Sequence, residues 1–183
     1  RNHGAVLTLS TKSVEGSHIV VSDVVVALGK LAQHVRSNLL NLTVIGITGS
    51  QGKTTTKELL ATVLSSAAPT VAPHGNFNNE IGLPLTLLRL DLNHELAVIE
   101  LGMNHPGETA LLANIAKPTI ALINNAQREH QEFMETVDAV AQEHALAIKA
   151  LPTNGVAVYP ADSEYSVYWK KISDQRTVVD FAF

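Results

Sequence analysis

The 183-residue sequence contains no cysteine, which rules out disulfides, zinc ribbons and a thiol nucleophile. It has no basic stripe either: 13 lysines and arginines are scattered among 17 acidic residues, for a formal net charge of −4. Nothing therefore marks a nucleic-acid or membrane surface. No apolar run reaches the roughly 18 residues that a membrane span requires. The opening "RNHGAVLTLS" lacks the long apolar core of a signal peptide, so a soluble, cytoplasmic protein without a membrane span is expected. Internal repeats and low-complexity tracts are missing too.

What is present is an ordinary globular composition, 45 % hydrophobic and 16 % charged, enough for one good-sized domain or one domain plus a piece of another. The chain opens on Arg1 rather than Met, almost directly in a strand-like run, so a fragment is expected. Short strands are expected at 4–10 and 18–23. A helical pattern follows, with Val25, Leu28, Leu31, Ala32, Val35 and Leu39 at helical spacings and Ser22 or Asp23 as its N-cap. From "LTVIGIT" (42–48) onward, strands at 42–48, 70–72, 95–101, 119–124, 155–160 and 176–181 alternate with helices. Those helices are expected near 53–66, 81–89, 108–116 and 135–150, with a short one before the last strand. Apolar strands alternating with amphipathic helices predict an α/β fold, a mostly parallel, P-loop (Rossmann-like) sheet with helices on both faces. Ligand sites in such sheets gather in the loops after the strand C-termini. Every unusual residue cluster of this sequence falls in one of those loops.

The first is "GITGSQGKTTTKELL" (46–60), where Gly46, Gly52, Lys53 and Thr54 fit G-x-x-x-x-G-K-[ST] between a buried strand and a helix. Backbone N–H groups of such a loop curl around phosphate oxygens, and the helix N-terminus adds partial positive charge. The expected phosphate contacts are Gly49, Ser50, Gln51, Gly52, Lys53, Thr54 and Thr55, with Lys53 reaching the β- and γ-phosphates and the Thr54 hydroxyl binding Mg²⁺. A nucleoside triphosphate site follows, but not its class. The N-K-x-D guanine reader of a GTPase is absent, and the five arginines do not cluster into the lid of a small-molecule kinase.

Glu100 ends "LAVIE", where a carboxylate beside a phosphate site can bind Mg²⁺ or merely cap a loop. His130 in "NNAQREHQEF" reads, taken alone, as a surface histidine or a metal ligand. His105 sits in the loop "GMNHPGE", whereas the remaining histidines, His144 among them, show no partner pattern. Asn76, Asn78 and Asn79 in "GNFNNEIGLP" are too many polar residues for a simple turn, and they open a helix with Pro84 in its first turn. That loop is expected to face a ligand.

Together these residues resemble the Mur ligases, the ATP-dependent amide-forming enzymes of peptidoglycan synthesis. The generic signature is "TGSQGKTTTK". "GNFNNEIGLPLTLLRL" (75–90) is more specific and resembles the branch that adds D-Ala-D-Ala to UDP-N-acetylmuramoyl-tripeptide, while "VIELGMNHPGE" (98–108) and "INNAQREHQEF" (123–133) also match the family in content and order. The resemblance implies that residues 1–40 end a small N-terminal α/β domain for the UDP-substrate. It also implies that 41–183 form most of the central ATP-binding domain, with the C-terminal ligase domain absent. It implies ATP and Mg²⁺ as cofactors, small-molecule substrates and a monomer. Lys53, Glu100 and His130 are then the catalytic residues. Thr54 and Glu100 would bind one Mg²⁺ and His130 a second, and Asn76, Asn78 and Asn79 would face the phosphates or the muramoyl-peptide. The γ-phosphoryl group would pass to a carboxylate, and the acyl phosphate would then be attacked by an amine.

The sequence departs from the family in one place. Many Mur ligases carry a carbamylated lysine after the histidine loop, and here His144 stands at that position beside Glu143. Glu143 is expected either to supply the missing negative charge to the second metal or to lie on a solvated helix face. The adenine-contacting asparagine of the family is expected beyond residue 183, so this chain is expected not to turn over alone. The alternatives are a folylpolyglutamate- or cyanophycin-type ligase, which "GNFNNEIGLP" disfavours, and a nucleotide-binding module without catalysis.

Overall fold

The computed structural model describes residues 4–129 and 132–182. Two three-residue strands, β1 (Thr8–Ser10) and β2 (His18–Val20), pair in parallel with Thr8 opposite His18. The first starts later than expected because residues 4–7 are exposed. Helix α1 (Val24–Asn38) follows. The Asp23 carboxylate caps it, accepting from Val25 N at 2.7 Å and Val26 N at 2.9 Å.

The remaining elements alternate as β3 (Thr43–Thr48), α2 (Lys53–Ser65), β4 (Thr70–Val71), α3 (Gly82–Leu87), β5 (Leu96–Glu100), α4 (Glu108–Ala116), β6 (Ile120–Ile123), α5 (Val137–Lys149), β7 (Val156–Pro160), α6 (Ser166–Ser173) and β8 (Thr177–Phe181). The strands form one sheet in the order β4-β5-β3-β6-β7-β8, parallel at every pairing. β3 lies between β5 and β6 and is buried along nearly its whole length, as its unbroken apolar run predicts.

Alternation along the central strands assigns each side chain to a layer. Val44 of β3 and Ala97 and Ile99 of β5 enter the main core, together with Ala32 of α1, Leu83 of α3, Leu112 of α4, Ala145 of α5 and Trp169 of α6. Ile45, Ile47 and Val98 point the other way and pack with Leu60 and Leu64 of α2. The same alternation puts Glu100 on the α2 side of the sheet and Thr48 on the α5 side. Helices thus cover both faces, and the loops after β3, β5 and β6 meet at one edge.

α1 shares this core: Ala32 is fully buried, and a Cβ on Gly29 would lie 3.1 Å from Ile115 Cδ1 of α4. Arg36 fastens the contact. Its buried guanidinium donates to Ala116 O (3.1 Å), Leu39 O (2.9 Å), Lys117 O (3.1 Å) and Leu42 O (3.4 Å), so one side chain satisfies carbonyls at the ends of two helices and at the entry to β3. Arg36→Ala is expected to lower stability by about 2–4 kcal/mol in chemical denaturation, because these carbonyls lose a charged donor. Arg36→Lys should recover little of it, since an ammonium lacks the planar fork.

Candidate active site

Between β3 and α2 the chain turns through Gly49, at φ +134°, and Gly52, at φ +78°. A Cβ on Gly49 would lie 2.9 Å from Asn124 Cβ and 3.0 Å from Asn124 N, so the loop is pressed against the end of β6. That segment braces it. Ser50 N donates to Asn125 O (3.2 Å), Gln51 N to Asn125 Oδ1 (3.0 Å), and Asn124 Nδ2 to Thr56 Oγ1 (3.0 Å). Ser50 Oγ donates to Gln127 O (3.0 Å) and accepts from Gln127 N (2.8 Å). Helix α2 begins at Lys53 with no side-chain cap and no acidic residue in its first turn, and Thr54 and Thr55 are exposed there. Its N-terminal N–H groups therefore face the loop with their partial charge uncompensated. The Lys53 ammonium bends back onto Gly49 O and, at 3.5 Å, Ser50 O.

Glu100 closes the site from β5. It is 2 % exposed, and its two oxygens are divided between neighbouring segments. Thr54 Oγ1 donates to Oε2 at 3.1 Å, and Asn78 Nδ2 donates to Oε1 at 2.8 Å. Asn78 is itself fixed to β5's exit, since Gly102 N donates to its backbone O at 2.8 Å. A buried carboxylate that accepts one hydrogen bond at each oxygen still has unused lone pairs, which suits a hard cation such as Mg²⁺. No cluster of three or more His, Cys, Asp or Glu exists among the described residues. Mg²⁺ at a phosphate site needs no such cluster, because it takes one or two carboxylates plus phosphate oxygens and water.

The other two asparagines have different roles. Asn79 Oδ1 accepts from Gly82 N (2.9 Å) and Ile81 N (3.2 Å), capping the start of α3. Asn76 is exposed, and its carbonyl accepts from Asn78 N at 2.8 Å. Asn78 and Asn79 line a cleft of ≈ 330 Å³ with Lys53, Glu80, Asn104 and His105. His105 Nδ1 is 2.9 Å from Glu108 Oε1, and its ring lies 4.2 Å from that of Phe133. Burial raises the Glu108 pKa, but donors from Asn104 N and from the ring and N–H of His105 outweigh it. The net shift is below the usual carboxylate value.

His130 lies outside the described residues. Glu143 is not on a solvated helix face: it is 5 % exposed, and its oxygens accept from Gly107 N and Thr109 N, each at 2.9 Å. It caps the N-terminus of α4. His144, which showed no partner pattern, is 1 % exposed and has two neighbours. Its Nδ1 is 2.8 Å from Thr48 Oγ1 and its Nε2 is 3.0 Å from Glu129 Oε1. Glu129 Oε2 lies 3.8 Å from the Lys53 ammonium. Burial pushes the Glu129 carboxyl up, but His144, Lys53 and Ser50 together hold it below its ordinary value.

Sequence reasoning missed Glu129, Asn124, Asn125 and Lys57. The first three follow β6 and could have been flagged as polar residues in a strand-end loop. Lys57 carries a different signal, a lysine at i−3 and i−7 to the inward-facing Leu60 and Leu64 of α2. It is fully buried and donates to Gly75 O (2.6 Å) and Pro73 O (3.4 Å), tying α2 to the approach of the asparagine loop.

Residues 47–183 match the Mur ligase middle domain family. The chain is 40 % identical over 164 residues to the UDP-N-acetylmuramoyl-tripeptide--D-alanyl-D-alanine ligase of Buchnera aphidicola subsp. Baizongia pistaciae, covering 90 % of this chain and 35 % of that relative. It superposes on MurF from Acinetobacter baumannii with a TM-score of 0.89 at 33 % identity, over 96 % of this chain and 39 % of that one. The corresponding values for the ADP complex of MurF ligase from Thermotoga maritima are 0.88 and 33 %, over 99 % and 42 %. The chain thus spans well under half the length of these proteins.

A Cβ on Gly102 would lie 2.7 Å from Asn78 Cγ and 2.8 Å from Asn78 O. Gly102→Ala is therefore expected to displace Asn78 from Glu100, lowering stability by about 1–3 kcal/mol. The amide signals of residues 78, 100 and 102 should shift in a heteronuclear NMR spectrum, while those of α6 stay in place.

Proposed function

The chain belongs to the Mur ligase family, and on that premise we propose that it carries the ATP site and phosphoryl-transfer centre of a ligase joining D-Ala-D-Ala to UDP-N-acetylmuramoyl-tripeptide. The observation that carries this reading is Glu100, a buried carboxylate at a strand end, divided between Thr54 of the phosphate-loop helix and Asn78 of the asparagine loop. A nucleotide-binding turn alone would not require the second loop. A transfer site would, because it must hold an acceptor against the terminal phosphate.

In this reading the N–H groups of Gly49, Ser50, Gln51, Gly52, Lys53, Thr54 and Thr55 surround the phosphates of ATP. Lys53 leaves Gly49 O to reach the β- and γ-phosphates. Thr54 and Glu100 hold one Mg²⁺, and His130 is assigned to a second. Bound Mg²⁺ supplies charge neutralisation of the phosphates and polarisation of the γ-phosphoryl group. The cleft beside Asn78, Asn79 and Glu80 receives the terminal carboxylate of the UDP-muramoyl-tripeptide, and the exposed Asn76 is assigned to the same substrate or to the phosphates. A carboxylate oxygen forms a bond to the γ-phosphorus as the bond to the β-bridging oxygen breaks, releasing ADP. The amine of D-Ala-D-Ala then attacks the acyl carbon, phosphate departs with its oxygen, and the amine loses a proton. The protein's share is positioning and charge stabilisation.

The same reading assigns residues 1–40 to the end of the UDP-substrate domain, with α1 of that stretch packed into the core of the central ATP-binding domain of 41–183, in a cytoplasmic monomer whose turnover needs more than this chain. The test is product formation by the full gene product with Mg-ATP. Equimolar ADP and phosphate are expected only when UDP-muramoyl-tripeptide and D-Ala-D-Ala are both present, with a loss of at least about 100-fold in Lys53→Ala. ADP release driven instead by a folate and glutamate, or by no acceptor at all, would overturn the assignment.

A further inference from the structure

The loop after β6 places a carboxylate in the wall of the phosphate site that the reading above leaves without a role. The Glu129 side chain is 10 % exposed. One oxygen, Oε1, lies 3.0 Å from His144 Nε2, yet neither atom finds a well-directed hydrogen bond among the described residues, and both are buried. The other, Oε2, faces the Lys53 ammonium at 3.8 Å, beyond hydrogen-bond distance. Behind this pair, Thr48 Oγ1 at the end of β3 holds the other ring nitrogen of His144 at 2.8 Å. Both Thr48 and His144 are essentially inaccessible, so the carboxylate rests on a rigid base.

Lys53 faces Glu129, and it is the residue that must turn toward phosphate when the loop fills. A buried carboxylate left without its cation is costly, and one left beside a triphosphate is repelled as well. A second positive charge has to enter the space between them. A hard divalent ion fits, because it can take one carboxylate and complete its shell with phosphate oxygens and water.

Resting on the nucleotide-site reading, we propose that Glu129 is a ligand, direct or through one water, of the second divalent cation of that reading. This position is separate from the Thr54–Glu100 position on the opposite side of the phosphate loop. His144 and Thr48 are positioning residues that aim the carboxylate. Glu143, capping α4, is not the source of this charge. Lys53 serves as the placeholder: it faces Glu129 until nucleotide binds and then exchanges places with the cation.

The test is to count Mn²⁺ bound to the full gene product by electron paramagnetic resonance, with the non-hydrolysable ATP analogue AMP-PCP at saturation. Two nucleotide-dependent Mn²⁺ ions are expected per chain. Glu129→Gln, which keeps the shape and removes the charge, should weaken the second ion at least tenfold and leave the first in place. Glu129→Asp should restore part of that loss, which a purely structural role would not predict. Glu100→Gln should weaken the other ion instead. Circular dichroism and AMP-PCP binding confirm that each variant is folded and loaded. A single Mn²⁺ in the wild type, or two ions unchanged in Glu129→Gln, would overturn the proposal while leaving the nucleotide site intact. Failure of the wild type to bind AMP-PCP at all would overturn both.

Discussion

A carboxylate that cannot reach water organises this molecule's functional edge. Glu100 is buried because β5 is buried, and a buried charge must be met by donors or cations. Thr54 and Asn78 meet it, and in doing so they bring together a helix from one βα unit and a loop from another. Lys57 adds a second tie between the same two pieces, one turn further along α2. The phosphate loop is thus part of a pocket fixed by the fold's own contacts rather than a free turn. Preorganisation of this kind is what phosphoryl transfer asks of a protein, since little of the covalent chemistry falls to its side chains.

Parallel-sheet geometry supplies the rest. The loops after β3, β5 and β6 meet because those strands are neighbours in the order β5-β3-β6. Strand alternation then sorts their polar ends: Glu100 turns toward α2 and the helix N-terminus, while Thr48 turns toward α5 and His144. The site consequently has two acidic walls, one built on β5 and one on the loop after β6, with the Lys53 ammonium between them. α1, although it precedes the sheet, belongs to the same packing unit through Ala32 and Arg36.

Much of this was legible in the sequence. The strand and helix order follows from apolar runs and amphipathic periods, and α4 begins and ends where its residues predict. The phosphate loop, Glu100 and the asparagine loop were readable because each places unusual residues at a strand end. The division of labour within the asparagine loop was not. Asn78 reaches Glu100 while Asn79 caps α3, and only the backbone path distinguishes them. Glu143 and His144 show the same limit. They are adjacent on α5, and a helix step of about 100° sends one to the N-terminus of α4 and the other to Thr48 and Glu129. Burial at that interface, invisible in a local pattern, turned an apparently solvated pair into a cap and a brace. Glu129 was hidden for another reason: its partners, Lys53 and His144, are remote in sequence and come together only through the β3–β6 pairing.

On the proposed function, the shared Glu100 carboxylate makes nucleotide binding depend on a divalent cation. Calorimetric titration of ATP into the protein, with Mg²⁺ and with EDTA, tests it most directly when wild type is compared with Glu100→Gln. Mg²⁺ is expected to tighten binding to the wild type, and most of this gain should disappear in the variant, whose Mg²⁺-free affinity should be equal or better because a carboxylate no longer faces the triphosphate. An undiminished Mg²⁺ effect in Glu100→Gln would contradict it.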